Sequence, residues 1–323
     1  MNNLYTSSLL TGKANHLKHI TRPFLLLALL LLSATGAWAQ NNTIDLSGNF
    51  ATDVITAHNG DVLTGTLAQK VQISIENNAT VTLQNVSINA NGSWTSGVYA
   101  GITCLGNATI ILEGTNTVKG FDAYYPGIYV PTGYTLTIQG SGSLNASSND
   151  YGAGIGGGSQ LNCGNIVIAG GTITATGGKY NSGIGAGYGA SCGTISITGG
   201  TVNATGGLWG SGIGTGSNGS CGAITISGGF VTATGGGNAA GIGAGYDHAS
   251  CVSIDITGGT VTATGGTNAA GIGTGLASSC GPITITDGVT QVTATKGEDA
   301  PNSIGAGLEG ECGTVTIGGV VYW

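Results

Sequence analysis

The sequence predicts an all-β chain wound as a single-stranded parallel β-helix, on three observations. A unit of about 29 residues recurs from Gly154 to Trp323. Each copy carries Gly-Ile-Gly-x-Gly, then Cys-Gly-x-Ile-x-Ile, a Gly-Gly turn and Thr-Val-Thr-Ala-Thr-Gly-Gly. Within each copy the apolar residues alternate with period two, the pattern of short strands with one face turned inward rather than of helices. Glycine supplies 64 of the 323 residues, yet the chain is 40% hydrophobic and strictly periodic, which places it among packed repeats and not among disordered tracts.

The first 39 residues read as a secretory signal peptide. Lys13, Lys18 and Arg22 precede the apolar run Phe24 to Leu32, and Ala37-Trp38-Ala39 offers a cleavage site before Gln40. The expected protein is exported, either secreted or held at the cell surface. No second apolar run is long enough to span a bilayer, so no membrane insertion is expected. Past the leader, the basic residues are Lys70, Lys119, Lys179 and Lys296, set against all 14 acids and with no arginine. Nucleic acid and anionic lipid require clustered basic residues, so neither is an expected partner.

Residues 40–69 are expected to form an N-terminal cap or first coil, and residues 70–323 a β-helix of about 8–9 coils of about 27–30 residues. Ile166/Ile168 recur as Ile195/Ile197, Ile224/Ile226, Ile254/Ile256, Ile283/Ile285 and Val315/Ile317, forming a first inner wall. Past the Gly-Gly corner, Ile173/Ala175, Val202/Ala204, Val231/Ala233, Val261/Ala263 and Val292/Ala294 form a second wall with threonines pointing out. The Gly-Ile-Gly stretches form a third, with Ile155, Ile184, Ile213, Ile242, Ile272 and Ile304 inward. Upstream, Val81/Leu83, Ile110/Leu112 and Leu136/Ile138 extend the first wall. Counting back along the third reaches Gly127 and Gly97, with Val98 inward beside it.

The segments Ala79 to Leu83 and Tyr134 to Gly142, with the Gly-Ile-Gly-x-Gly blocks, resemble the right-handed parallel β-helix superfamily that includes pectate lyases. More closely they resemble the bacterial extracellular β-helix proteins described as carbohydrate-binding-domain proteins. That resemblance covers most of the chain past the leader and implies a right-handed winding. Its motifs are core and corner residues, which specify fold and leave activity open.

Two columns carry candidate chemistry. Cys163, Cys192, Cys221, Cys251, Cys280 and Cys312 occupy one position of the repeat, while Cys104 falls off it. Neighbouring coils about 4.8 Å apart allow either a stack of buried thiols or disulfide rungs. Zinc is not expected, since no histidine joins the column. Three residues before the third-wall position stand Trp94, Tyr124, Tyr151, Tyr180 and Trp209, after which Asn238 and Asn268 take over. Aromatic side chains in line at about the 5 Å rise of a strand stack suit the sugar rings of an extended polysaccharide. Tyr99, Tyr125 and Tyr129 are expected to thicken the same end. Rings stacked only to shield the corner are the alternative.

The outward threonines, for example Thr260/Thr262/Thr264, form a grid resembling ice-binding surfaces, but Phe230 and Asn203 interrupt it. Threonine is also the ordinary polar residue of an exposed strand. Catalysis is not expected. A lyase on this fold needs a basic residue beside clustered acids, and a glycosidase needs paired carboxylates. The nearest approaches to a cluster are Asp247-His248 with Asp255, Asp53-His58-Asp61, and Glu298, Asp299, Glu309 and Glu311. The expectation is thus a non-enzymatic polysaccharide-binding β-helix without cofactor or metal. A structural or adhesive rod is the alternative, with a lyase, glycosidase or ice-binding protein behind it.

Overall fold

The computed structural model describes residues 42–67, 69–89, 99–121 and 123–322. The expected leader, Trp94, Val98 and Trp323 therefore lie outside the described residues. Within them the regular elements are β-strands, and no helix is long and apolar enough to cross a membrane. The strands build a right-handed parallel β-solenoid of about eight turns, as the repeat predicts.

A coil from the regular part passes through four short strands, for instance Ile184–Gly185, Ser191–Cys192, Ile195–Ile197 and Thr201–Thr205. The first and second walls belong to one 19-stranded sheet, the Ile-Gly wall is a separate 10-stranded sheet, and the Ser-Cys segments form a 5-stranded sheet of their own. Cys192, Cys221, Cys251, Cys280 and Cys312 therefore sit on a fourth wall. Two-residue strands carry no alternation, so sequence periodicity could not reveal it.

The first two walls join because upstream they are one strand. Ala79–Ile88 runs unbroken through both and bends at Asn85, whose φ is +56°. The Asn85 side chain stabilises that bend by accepting the Thr115 N–H at 3.1 Å. In the regular coils a Gly-Gly pair takes over the corner and the strand divides in two.

Equivalent residues face one another from coil to coil: Ile166 opposes Ile195, then Ile224, Ile254, Ile283 and Val315. All six are buried, each contributing about 1.5–3 kcal/mol of hydrophobic stabilisation. The register departs from simple counting in two places. Leu136 pairs with Ala108 and Ile138 with Ile110, leaving Leu112 opposite Gly140. The first-wall column is thus Ala79/Val81, Ala108/Ile110, Leu136/Ile138, two residues before the expected pairs in both upstream coils.

On the third wall Ile102, not Val98, opposes Ile128, and Gly101, not Gly97, meets the Gly127 backbone. The coil between them is shorter than the repeat, because the chain passes from Ile102–Cys104 to the first wall at Ala108 with no Ser-Cys strand between them. Upstream of Ile102 the same sheet continues through Gln72–Ile75 and Val54–Ala57.

In the regular coils, from Ile155 to Ile304, glycine follows each third-wall isoleucine with a positive φ. Gly214 has φ of +134°, and a Cβ there would stand 2.0 Å from the Gly243 carbonyl oxygen. No side chain tolerates either condition.

Candidate functional site

The aromatic column stands on the loop between the second and third walls. The loop backbones bond from coil to coil: the Tyr151 N–H donates to the Ala123 carbonyl, Lys179 N–H to Asp150 at 2.7 Å, and Trp209 N–H to Lys179 at 3.3 Å. These bonds hold successive rings at the coil spacing. Tyr124 and Tyr151 lie 5.6 Å apart with planes 18° from parallel. Tyr151 and Tyr180 follow at 5.7 Å and 31°, and Tyr180 and Trp209 at 4.6 Å and 27°. Four of the five expected residues thus form one continuous ladder. The fifth, Trp94, was placed by counting to Gly97. Gly101 takes that place in the register, and Trp94 lies outside the described residues.

Two rings of the site escaped the sequence reading. Tyr188 packs on Tyr180 at 5.9 Å and 52°, and Tyr246 on Trp209 at 5.2 Å and 51°. Both directly follow a Gly-Ile-Gly-x-Gly block, at Gly187-Tyr188 and Gly245-Tyr246. That shared position was the available signal, but Ser217 separates them and hides the column. The Tyr188 backbone N–H donates to Oδ1 of the buried Asn181 at 2.6 Å, and Asn181 Nδ2 has no hydrogen-bond partner. Tyr99 and Tyr129 do not thicken the ladder as expected. Both pack half-buried against the hydrophobic core, and the Tyr129 hydroxyl donates to the Asn162 carbonyl at 3.1 Å.

The ladder is half-buried except at Tyr124, which is 56% exposed. Its charge is local. Lys179 Nζ lies 5.4 Å from the Tyr180 ring centre, within cation–π range. The Lys179 ammonium is held above its ordinary range chiefly by its hydrogen bond with Tyr180, then by the charge interactions with Tyr180, Tyr151 and Asp150.

The cysteine column is in register, Cys192 opposite Cys221, then Cys251, Cys280 and Cys312. All seven cysteines are free thiols, with Cys312 the least buried of them. Neighbouring thiols and burial raise Cys192, and likewise Cys251, Cys280 and Cys312, well above the ordinary thiol range. Burial alone pushes Cys104, on the third wall, up to about 12.

Three acids of the groupings make local hydrogen bonds. Asp61 is buried and accepts the backbone N–H groups of His58 at 2.8 Å and Asn42 at 3.3 Å, a turn-capping role. Asp247 binds the neighbouring His248 ring at 2.7 Å, and Asp255 accepts from Ser253 Oγ at 3.0 Å. Among the described residues no group of three or more His, Cys, Asp or Glu is placed to hold a metal ion.

Comparison with protein families finds the beta helix repeat model matching at residues 136–159, 166–188, 195–217, 224–246 and 254–276. Each match begins on the first wall and ends just past a Gly-Ile-Gly-x-Gly block, so it spans the corner, the second wall and the aromatic loop. No curated protein and no solved structure matches the chain.

Proposed function

We propose that this chain of beta helix repeats is an exported, non-catalytic polysaccharide-binding protein that engages glycan along the strip from Tyr124 to Trp209, with Tyr188 and Tyr246 beside it. One observation carries the reading. The fold closes the same corner without aromatic side chains at Asn238 and Asn268, which pair by a side-chain hydrogen bond of 2.7 Å. Aromatic rings are therefore not required there, yet they occupy the position in consecutive coils and remain partly exposed. Rising at ring separations of 4.6–5.7 Å, the strip offers a repeated apolar edge with tyrosine hydroxyls, chemistry suited to the C–H faces and hydroxyls of sugars.

A second reading, a rod for protein or cell contact in which the ladder serves stability, is favoured by the near-parallel planes of Tyr124 and Tyr151. Rings stacked in that way spend their faces on each other and show solvent their rims. Replacing Tyr124, Tyr151 and Trp209 together by Ala separates the two. Glycan binding predicts lost retention on insoluble polysaccharides with the β-sheet circular dichroism intact. Unchanged retention, or no retention by the parent protein on any of the glycans tried, would reject it in favour of the rod.

A further inference from the structure

We propose that Cys251 and Cys280 are a disulfide-forming pair, a covalent staple between two adjacent coils at one defined rung of the thiol column. The two residues are direct partners in the parallel register. Strands so paired lie about 4.8 Å apart, inside the Cα separation that a disulfide bridges. Their sulfurs stand 2.7 Å apart, between the covalent length of about 2.0 Å and an ordinary contact of two unlinked sulfurs. Three other thiols of the column donate to backbone carbonyls. Cys163 Sγ donates to Gly185 at 3.5 Å, Cys192 Sγ to Gly164 at 3.3 Å, and Cys312 Sγ to Gly281 at 3.8 Å.

The backbone bonding changes along the column. At the upper rungs the N–H after each cysteine is shared between two carbonyls: Gly193 donates to Cys163 and Gly164, and Gly222 to Cys192 and Gly193. From Cys221 onward the donor has one acceptor: Val252 donates to the Cys221 carbonyl at 3.2 Å, Gly281 to the Cys251 carbonyl at 3.0 Å and Gly313 to the Cys280 carbonyl at 2.9 Å. The sequence marks the same place. Every other cysteine of the column is followed by glycine, but Cys251 is followed by Val252. A β-branched residue confines the backbone to the extended region that glycine is free to leave.

The bond forms by thiol–disulfide exchange with a low-molecular-weight disulfide, for which oxidised glutathione is the probe. One cysteine thiolate attacks a sulfur of the probe, forming a mixed disulfide and expelling one glutathione thiolate. The second cysteine thiolate then attacks the first cysteine's sulfur and expels the other. Both cysteine protons end on the two glutathione thiols, and the probe's S–S bond has taken up two electrons. Burial of both thiols makes exchange slow in the closed coil and faster while the coil is closing.

The test counts thiols. The protein is refolded from denaturant in a glutathione redox buffer, and a second sample is incubated native in the same buffer. Both are quenched in acid, denatured, alkylated and mapped by mass spectrometry. All but two of the seven cysteines should be alkylated, with one cross-linked peptide joining Cys251 to Cys280 and lighter by two hydrogens. The double variant Cys163→Ser/Cys192→Ser should keep that peptide, and Cys280→Ser should lose it. Seven alkylated cysteines in both arms, or a bridge elsewhere with Cys251 and Cys280 alkylated, overturns the proposal.

Discussion

Asn268 donates from Nδ2 to Oδ1 of Asn238 at 2.7 Å, at the corner position that Tyr180 and Trp209 fill in the two preceding coils. The amide pair and the ring pair are thus interchangeable solutions to one packing problem, closing the same loop across one coil step.

Asn238→Tyr should therefore extend the ladder by one ring beyond Trp209. The lost amide bond costs about 0.5–1.5 kcal/mol, and a new ring contact offsets a similar amount. Retention on the bound glycan should rise while the thermal midpoint stays near that of the parent. A fall in retention with the fold preserved would count against the strip as the binding surface.

Tyr180 touches Tyr151, Trp209 and Tyr188 and is the hub of the ladder. A double-mutant cycle with Tyr180→Ala and Trp209→Ala should show a coupling of about 0.5–1.5 kcal/mol in urea unfolding. Additive losses would show that the stack contributes burial without specific ring contact.

Gly214→Ala places a Cβ against the Gly243 carbonyl in a backbone conformation closed to alanine. Strain of this kind costs about 1–3 kcal/mol for the dihedral alone, and the clash adds to it. The expected result is a lower urea midpoint than that of an exposed control such as Thr232→Ala on the outer face of the second wall. Equal midpoints would refute the close approach.

Alkaline pH should loosen the solenoid through its thiols. Cys104 rises from an ordinary 9.0 to about 12 because of burial. Below 9.0 both folded and unfolded chains keep the proton, and the stabilisation is complete. Between 9.0 and about 12 the unfolded thiol ionises while the folded one does not, so stability falls by about tenfold in the folding constant per pH unit. Urea midpoints at about pH 8 and about pH 10.5 should drop less steeply in Cys104→Ala than in the parent. Equal slopes would remove Cys104 as the cause.

The regular coils were legible because isoleucine, valine and glycine recur there at fixed spacing, and each placement follows from period two and the corner glycines. The stretch before Gly127 was harder to read. Its coil is short, and Gly97 lies near enough to the expected spacing to be taken for Gly101 on the third wall. The Ser-Cys wall was hidden because Ser191–Cys192 is too short to alternate. Tyr188 and Tyr246 went unseen because an aromatic in every second coil does not register as a column, although neighbouring loops bring both against the ladder.

Each residue of the regular coils lies opposite its own counterpart, as Ile197 does to Ile226, and this has a consequence for how the molecule can change size. Excising Thr198 through Ile226 would join Ile197 to Ser227 and leave every later residue facing an equivalent neighbour, with the hydrophobic columns unbroken. Duplicating the same segment would do the reverse. The chain is in this sense a ruler graduated in coil-sized steps, and its reach can be reset by copying one segment while the hydrophobic columns stay in register.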